Sequence, residues 1–128
     1  MHIRPEFRAA LPTADIQRAR PFYEDQLGLQ PKQVDEQGVT YEGAGETTFL
    51  LFPSSGKASG SHTQISFGVE DVDAELRELR AHGIEAEDVG MPGMDPDSHI
   101  VTMGDARVAW LRDPDGNLLA LSDTRTVS

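Results

Sequence analysis

Val108-Ala109-Trp110-Leu111-Arg112-Asp113-Pro114-Asp115-Gly116-Asn117-Leu118-Leu119-Ala120-Leu121 is two apolar runs joined by a short polar turn. The chemistry of that turn is almost prescribed. Asp113 can accept hydrogen bonds from further along the turn, Pro114 presets φ at the next position, and Gly116 tolerates the exit geometry. The stretch therefore predicts a β-hairpin closed by a type I or bulged turn. Alternation puts Val108 and Trp110 on one face of the first strand, and Leu118, Ala120 and Ser122 on one face of the second.

Strand-like and helix-like segments precede the hairpin in a pattern that occurs twice. Phe7 to Thr13 alternates as a strand. Asp15 suits a helix N-cap, with apolar residues at Ile16, Ala19, Phe22, Tyr23 and Leu27 and a stop at Gly28. Pro21 removes one backbone donor inside that helix, so a kink is expected there. Strands follow at about 30–36, 39–43 and 47–53. After a connector of small residues, Ser54 to Ser61, residues 62–69 alternate again. Asp71 then caps a second helix with the stripe Val72, Leu76 and Leu79 and a stop at Gly83, and Asp73–Arg77 is positioned as an i,i+4 ion pair. A strand is expected at Ile84–Val89, then a loop of turn formers at 91–98, then strands at 99–103, 106–113 and 117–122. Thr124–Ser128 reads as a tail. The expected organisation is a single domain made of two βαβββ modules, 5–53 and 62–123, joined by a flexible linker at 54–61.

The duplication, the entry Leu11-Pro12-Thr13-Ala14-Asp15, the segment Phe22-Tyr23-Glu24-Asp25-Gln26-Leu27-Gly28-Leu29 and the final hairpin together resemble the vicinal-oxygen-chelate superfamily. That group holds glyoxalase I, extradiol dioxygenases, fosfomycin-modifying enzymes and bleomycin-resistance proteins. The resemblance implies an α+β fold in which two βαβββ modules form a curved mixed sheet around an open cup. One face of each sheet packs on its helix and the other lines the cavity. It also implies where a divalent cation would be bound: one ligand each from the first, fourth, fifth and last strands. Carried over position by position, those places hold Arg8, Leu50, Gln64 and Ala120. Leu50 and Ala120 have no lone pair, and Arg8 brings a positive charge to a cation's place; one amide is not a site. No metal and no cofactor are expected.

Strand parity then proposes what lines the cup. Ile65, Phe67 and Val69 go under the second helix, with His62, Gln64 and Ser66 facing the cavity. Phe49 and Leu51 go under the first helix, with Thr48, Leu50 and Phe52 facing the cavity beside Arg8 and Ala10. The candidate ligand-binding set is Arg8, Tyr41, Leu50, Phe52, His62, Gln64, Val108, Trp110 and Ala120, with Trp110 as the aromatic anchor. His62 could be a donor or a base, but it has no carboxylate to orient it. His82 suits a helix C-terminus, and His2 and His99 read as solvated. No catalytic residue is assigned.

Composition narrows the classes further. The net charge of −11 repels nucleic acid and anionic membranes. With no cysteine there are no disulfides and no thiolate chemistry. Met1-His2-Ile3-Arg4-Pro5 lacks the apolar run of a signal peptide, and no segment approaches membrane-spanning length, so a cytoplasmic protein is expected. The functional expectation is a metal-independent, homodimeric binding protein that sequesters an aromatic or partly apolar antibiotic or natural product. The alternative is a glyoxalase-type lyase, isomerase or dioxygenase acting on a small metabolite, and a third possibility is a metabolite carrier.

Overall fold

The computed structural model describes residues 8–55 and 62–124. The chain divides into two compact units, residues 1–58 and 59–128. Expectations for Phe7, most of the connector and residues 125–128 fall outside the described residues.

In the first unit the order is β1 (Ala9–Thr13), α1 (Ile16–Pro21), a π-helical turn (Phe22–Gln26), β2 (Gln30–Asp35), β3 (Gly38–Glu42) and β4 (Thr48–Pro53). The sheet runs β1-β4-β3-β2, with β1 parallel to β4 and the other pairs antiparallel. Asp15 caps α1 by accepting from the Arg18 N–H at 3.2 Å. Pro21 does not simply kink the helix. It closes the α-helical winding, and the chain continues in wider turns, with the Leu27 N–H on the Phe22 carbonyl and the Leu29 N–H on the Tyr23 carbonyl. Gly28 at φ +75° makes the exit possible.

The core of this unit is Leu11, Tyr23, Val39, Tyr41, Phe49 and Leu51, all buried. Cross-strand register puts Leu11 beside Leu51 and Tyr41 beside Phe49, so these side chains share one face of the sheet. The helical segment supplies Tyr23 to the same face, with ring centroids 5.7 Å from both Tyr41 and Phe49.

The second unit repeats the order: β5 (Thr63–Gly68), α2 (Val72–Ala81), β6 (Val101–Met103), β7 (Ala106–Arg112) and β8 (Leu118–Thr124), with sheet order β5-β8-β7-β6. Asp71 caps α2 through the Ala74 N–H. A second carboxylate fixes the same helix end. Asp123, 1% exposed, accepts from the Val72 N–H at 2.8 Å and from the Arg107 N–H at 3.1 Å. Asp73 pairs with Arg107 of β7 and not with Arg77, because the sheet offers a guanidinium where α2 begins. These contacts put α2 on the face of β7 and β8 that carries Arg107, Ala109, Leu111, Leu119, Leu121 and Asp123.

The strand expected at Ile84–Val89 does not form. Gly83 and Gly90, at φ +81° and +70°, bracket the segment, and Asp88 accepts from the Gly90 N–H, so the chain turns before a ladder can extend. Its recorded bond to the sheet is the Glu87 N–H on the Trp110 carbonyl, at a point on β7 that three-residue β6 does not reach.

The hairpin expected around Asp113–Gly116 forms between β7 and β8, with Trp110 opposite Ala120 and Arg112 opposite Leu118. Asp113 accepts from the Asp115 and Asn117 N–H groups and from the Asn117 side-chain amide at 2.7 Å, while Gly116 sits at φ +85°. Both Asp113 and Asn117 are buried, so this turn is part of the core and not a solvent loop.

Candidate functional site

In the second unit, the face of the sheet turned away from α2 carries Val101, Val108, Trp110, Leu118 and Ala120 as one buried apolar cluster. Trp110 is at its centre, opposite Ala120, and is 5% exposed. Its indole N–H donates to the Thr63 hydroxyl at 3.0 Å. The polar edge of the ring is therefore satisfied by the protein, while its apolar body packs in the cluster. Val89, Met91, Met94 and Ala106 lie partly buried against the same cluster. The loop that replaces the expected strand thus packs against the cluster that holds the tryptophan.

Strand parity put Gln64, and not its neighbour Thr63, toward the cavity beside His62 and Ser66. The structure corrects this. A bulge in β5 pairs Thr63 with Leu118 and Ile65 with Leu119, leaving Gln64 as the extra residue between them. Thr63 and Ser66 thereby join the Trp110 face, since they pair with Leu118 and Ala120. Gln64 is half-buried at the bulge, and His62 is exposed just before the strand begins.

In the first unit, Leu50 pairs with Ala10 and Thr40, and Phe52 with Pro12, so Leu50 and Phe52 share the face opposite the aromatic core. Both are half-buried. Arg8 is exposed, and its guanidinium donates to the Thr40 hydroxyl at 3.0 Å, which fixes it on that same face. Tyr41 is not on it. Its pairing with Phe49 turns it to the helix side, where it is 1% exposed and donates its hydroxyl to Glu24 at 2.9 Å. The expectation for Tyr41 failed because Tyr41 alternates with Thr40: Thr40 pairs with Leu50 on the open face, while Val39 and Tyr41 pair with Leu51 and Phe49 on the helix side.

Arg20 completes the Glu24 contact with its Nε at 2.7 Å. The hydrogen bond from Arg20 holds the Glu24 carboxyl below its ordinary range, with a further contribution from Tyr41. Burial pushes the Tyr41 phenol well above its ordinary value, so it remains a neutral donor. This triad ties a helix to a strand and offers no reactive group.

Sequence reasoning also missed Val89, Met91 and Met94, which it placed in a strand end and a loop. A signal was present: two methionines three residues apart, in a loop otherwise built of Pro, Gly and Asp. The bulge that brings in Thr63 has no such signal. His99, read as solvated, is held at φ +61° with its Nδ1 3.0 Å from the Ala86 carbonyl, and it closes the loop behind the methionines.

The arrangement defines a duplicated βαβββ protein with an apolar, tryptophan-centred face. The description that matches the chain is the Glyoxalase/Bleomycin resistance protein/Dioxygenase superfamily, over residues 7–121, and the chain belongs to that superfamily. No curated protein sequence matches it. Among solved structures, it is similar to TnmS3, an antibiotic-binding protein from Streptomyces sp. CB03234, at 21% identity and a TM-score of 0.69, covering 96% of this chain and 99% of that one. A glyoxalase/bleomycin resistance protein/dioxygenase from Alicyclobacillus acidocaldarius shares 18% identity with a TM-score of 0.70, covering 94% and 91%. The fosfomycin resistance protein FosX from Listeria monocytogenes shares 16% with a TM-score of 0.66, covering 95% and 94%. These likenesses establish the fold.

The residues present do not fit the divalent cation that the superfamily resemblance implies. Arg8 carries a guanidinium committed to Thr40, Leu50 and Ala120 are apolar, and Gln64 is alone in offering an oxygen. Among the described residues, no three His, Asp or Glu side chains gather closely enough to hold a metal ion. Among the same residues, no helix is long and apolar enough to cross a membrane.

Proposed function

We propose that this protein binds a flat, largely apolar small molecule, of the kind found among aromatic antibiotics and natural products, and does so without a metal. The observation that carries the reading is Trp110: a ring whose N–H is already satisfied by Thr63, set among Val108, Leu118 and Ala120 on a face with no titratable cluster. Such a surface recognises a ligand through stacking and apolar contact. The likeness to TnmS3 supports the same direction. Val108 and Ala120 form the floor beside the indole. His62 and Gln64 of the same unit are proposed as further ligand contacts, with Gln64 supplying a hydrogen bond; Arg8, Leu50 and Phe52, on the first unit's own sheet face, are proposed as ligand contacts of that face. Tyr41 keeps its core role and is left out of the set. A small metabolite turned over by acid–base chemistry has less support, because among the described residues no three His, Asp or Glu side chains gather into a cluster.

The proposed working form is a cytoplasmic homodimer. β2 is exposed along its whole length, and β6 is a second edge strand, so each sheet offers unpaired backbone groups that a twofold partner can cover. Sedimentation equilibrium should give twice 14.0 kDa, and a single species at 14.0 kDa would refute the dimer.

Trp110 is the only tryptophan, so its fluorescence reports directly. Titration with a panel of aromatic antibiotics should change the emission saturably, and Trp110→Ala should weaken binding by about 2 kcal/mol. Elemental analysis after dialysis should find no stoichiometric Zn, Ni, Mn or Fe. Turnover of a bound compound, retained metal, or binding indifferent to Trp110→Ala would each overturn the reading.

A further inference from the structure

The segment Val89–Met94 has an unusual attachment. Both of its flanks are fixed by hydrogen bonds. On one side Glu87 donates its N–H to the Trp110 carbonyl, and its carboxylate accepts from the Arg112 Nε at 2.9 Å. On the other, Asp95 accepts from the Asp97 and Ser98 N–H groups, Asp95 and Ile100 are bonded through the backbone, and His99 reaches back to the Ala86 carbonyl. Between these anchors the recorded bonds are local: Gly90 N–H to Asp88, and Met94 N–H to the Met91 carbonyl. The stretch is held to the sheet by three apolar side chains, Val89, Met91 and Met94, resting on the Trp110 cluster. Gly90 and Gly93, at φ +70° and +84°, supply left-handed backbone at two points within it.

We infer that Val89–Met94 is a self-occluding strap: Met91 and Met94 occupy the place against Trp110 that a planar ligand takes, and binding replaces them. This rests on the proposed function for the identity of the occupant. Thioether side chains suit the task. They are flexible and polarizable, they pack against an aromatic ring, and they can repack against a bound aromatic molecule once displaced. A segment without ladder hydrogen bonds opens at lower cost than the strands it covers. The competition has a sign. The strap lowers apparent affinity by the fraction of molecules in which it is open, so weakening the strap tightens binding.

The test uses the whole protein and neutral Nile red as a planar apolar probe. Met91→Ala/Met94→Ala should bind the dye about fivefold more tightly than the wild type and should expose Trp110 to acrylamide quenching. Unchanged or weaker dye binding, with quenching still low, would overturn the strap and make the methionines ordinary core. Native-state hydrogen exchange on the unmodified protein gives a second reading that does not depend on the variant folding. The amides of residues 91–94 should exchange at least tenfold faster than those of Trp110 and Leu111. Exchange of both sets at one rate would refute the strap. The two readings fail separately. If exchange and quenching behave as expected but neither Nile red nor the antibiotic panel binds, the strap stands and the proposed function falls. Binding that depends on Trp110 while the strap amides exchange only with the core would leave the function and remove the strap.

Discussion

The two units follow the same strand–helix–strands order, yet they bury their largest aromatic side chains on opposite faces of their own sheets. The first sets Tyr23, Tyr41 and Phe49 between sheet and helix, within about 6 Å of one another. The second buries Ala109, Leu111, Leu119 and Leu121 on the corresponding face, with Phe67 beside Leu121, and turns its tryptophan the other way. Its helix face is therefore mainly aliphatic and stabilises chiefly by buried area. The helices are attached differently as well. The first is held by ring packing and the Arg20–Glu24–Tyr41 contacts, the second by the buried carboxylate of Asp123 at its N-terminus. Both units follow one plan, and the second is the one that sets its tryptophan on the face turned away from its helix.

The sharpest way to break this comparison is to remove a ring from each unit. Tyr23→Ala should cost about 3–5 kcal/mol in urea denaturation, the range for a large aromatic lost from a packed core. Trp110→Ala should cost clearly less, because Val89, Met91 and Met94 can settle into the space. Equal losses would show that Trp110 is as structural as Tyr23, and the contrast would collapse.

Asp123→Ala comes next, at about 2–3 kcal/mol, since it leaves the Val72 and Arg107 N–H groups without their buried acceptor. Hydrogen exchange should show the loss concentrated in the first turn of α2. An effect below 0.5 kcal/mol, roughly the scale of a surface change, would mean that Asp71 alone holds the helix end.

Much of this molecule was legible from residue order, and the failures have local causes. The caps at Asp15 and Asp71, the duplicated pattern and the Asp113 turn each rest on short-range chemistry that a sequence displays. The superfamily followed from those same motifs in order. Three readings failed where parity or pairing was decided by distant partners. A bulge at Gln64 brought Thr63 to the Trp110 face, and nothing in Thr63-Gln64-Ile65 announces it. Tyr41 shares the face of Val39 because their strand pairs with Leu51 and Phe49, a register set by β4 and not visible in the weak strand itself. Asp73 found Arg107 in the sheet and not Arg77 on its own helix. The strap was missed for a related reason. Ile84–Val89 has strand-like alternation, and only the shortness of β6 shows that no ladder receives it.

The smallest expected effect sharpens the contrast at the first helix. Tyr41→Phe removes one hydrogen bond to Glu24 and keeps the ring packing with Tyr23 and Phe49, so it should cost about 1 kcal/mol at pH 7. Its signature lies in acid. Glu24 is held below its ordinary value near 4.5, first by Arg20 and then by Tyr41. A depressed carboxyl contributes stability that is present above the unfolded value and is lost as pH falls through the folded one. In Tyr41→Phe one of the two donors is gone, so Glu24 is less depressed and less stability remains to be lost. The stability difference between pH 7 and pH 3 should therefore be smaller in Tyr41→Phe than in the parent, with the two proteins converging in acid. Parallel curves, offset by the same amount at every pH, would mean that Arg20 alone sets the Glu24 carboxyl. The hydroxyl of Tyr41 would then serve packing and nothing more.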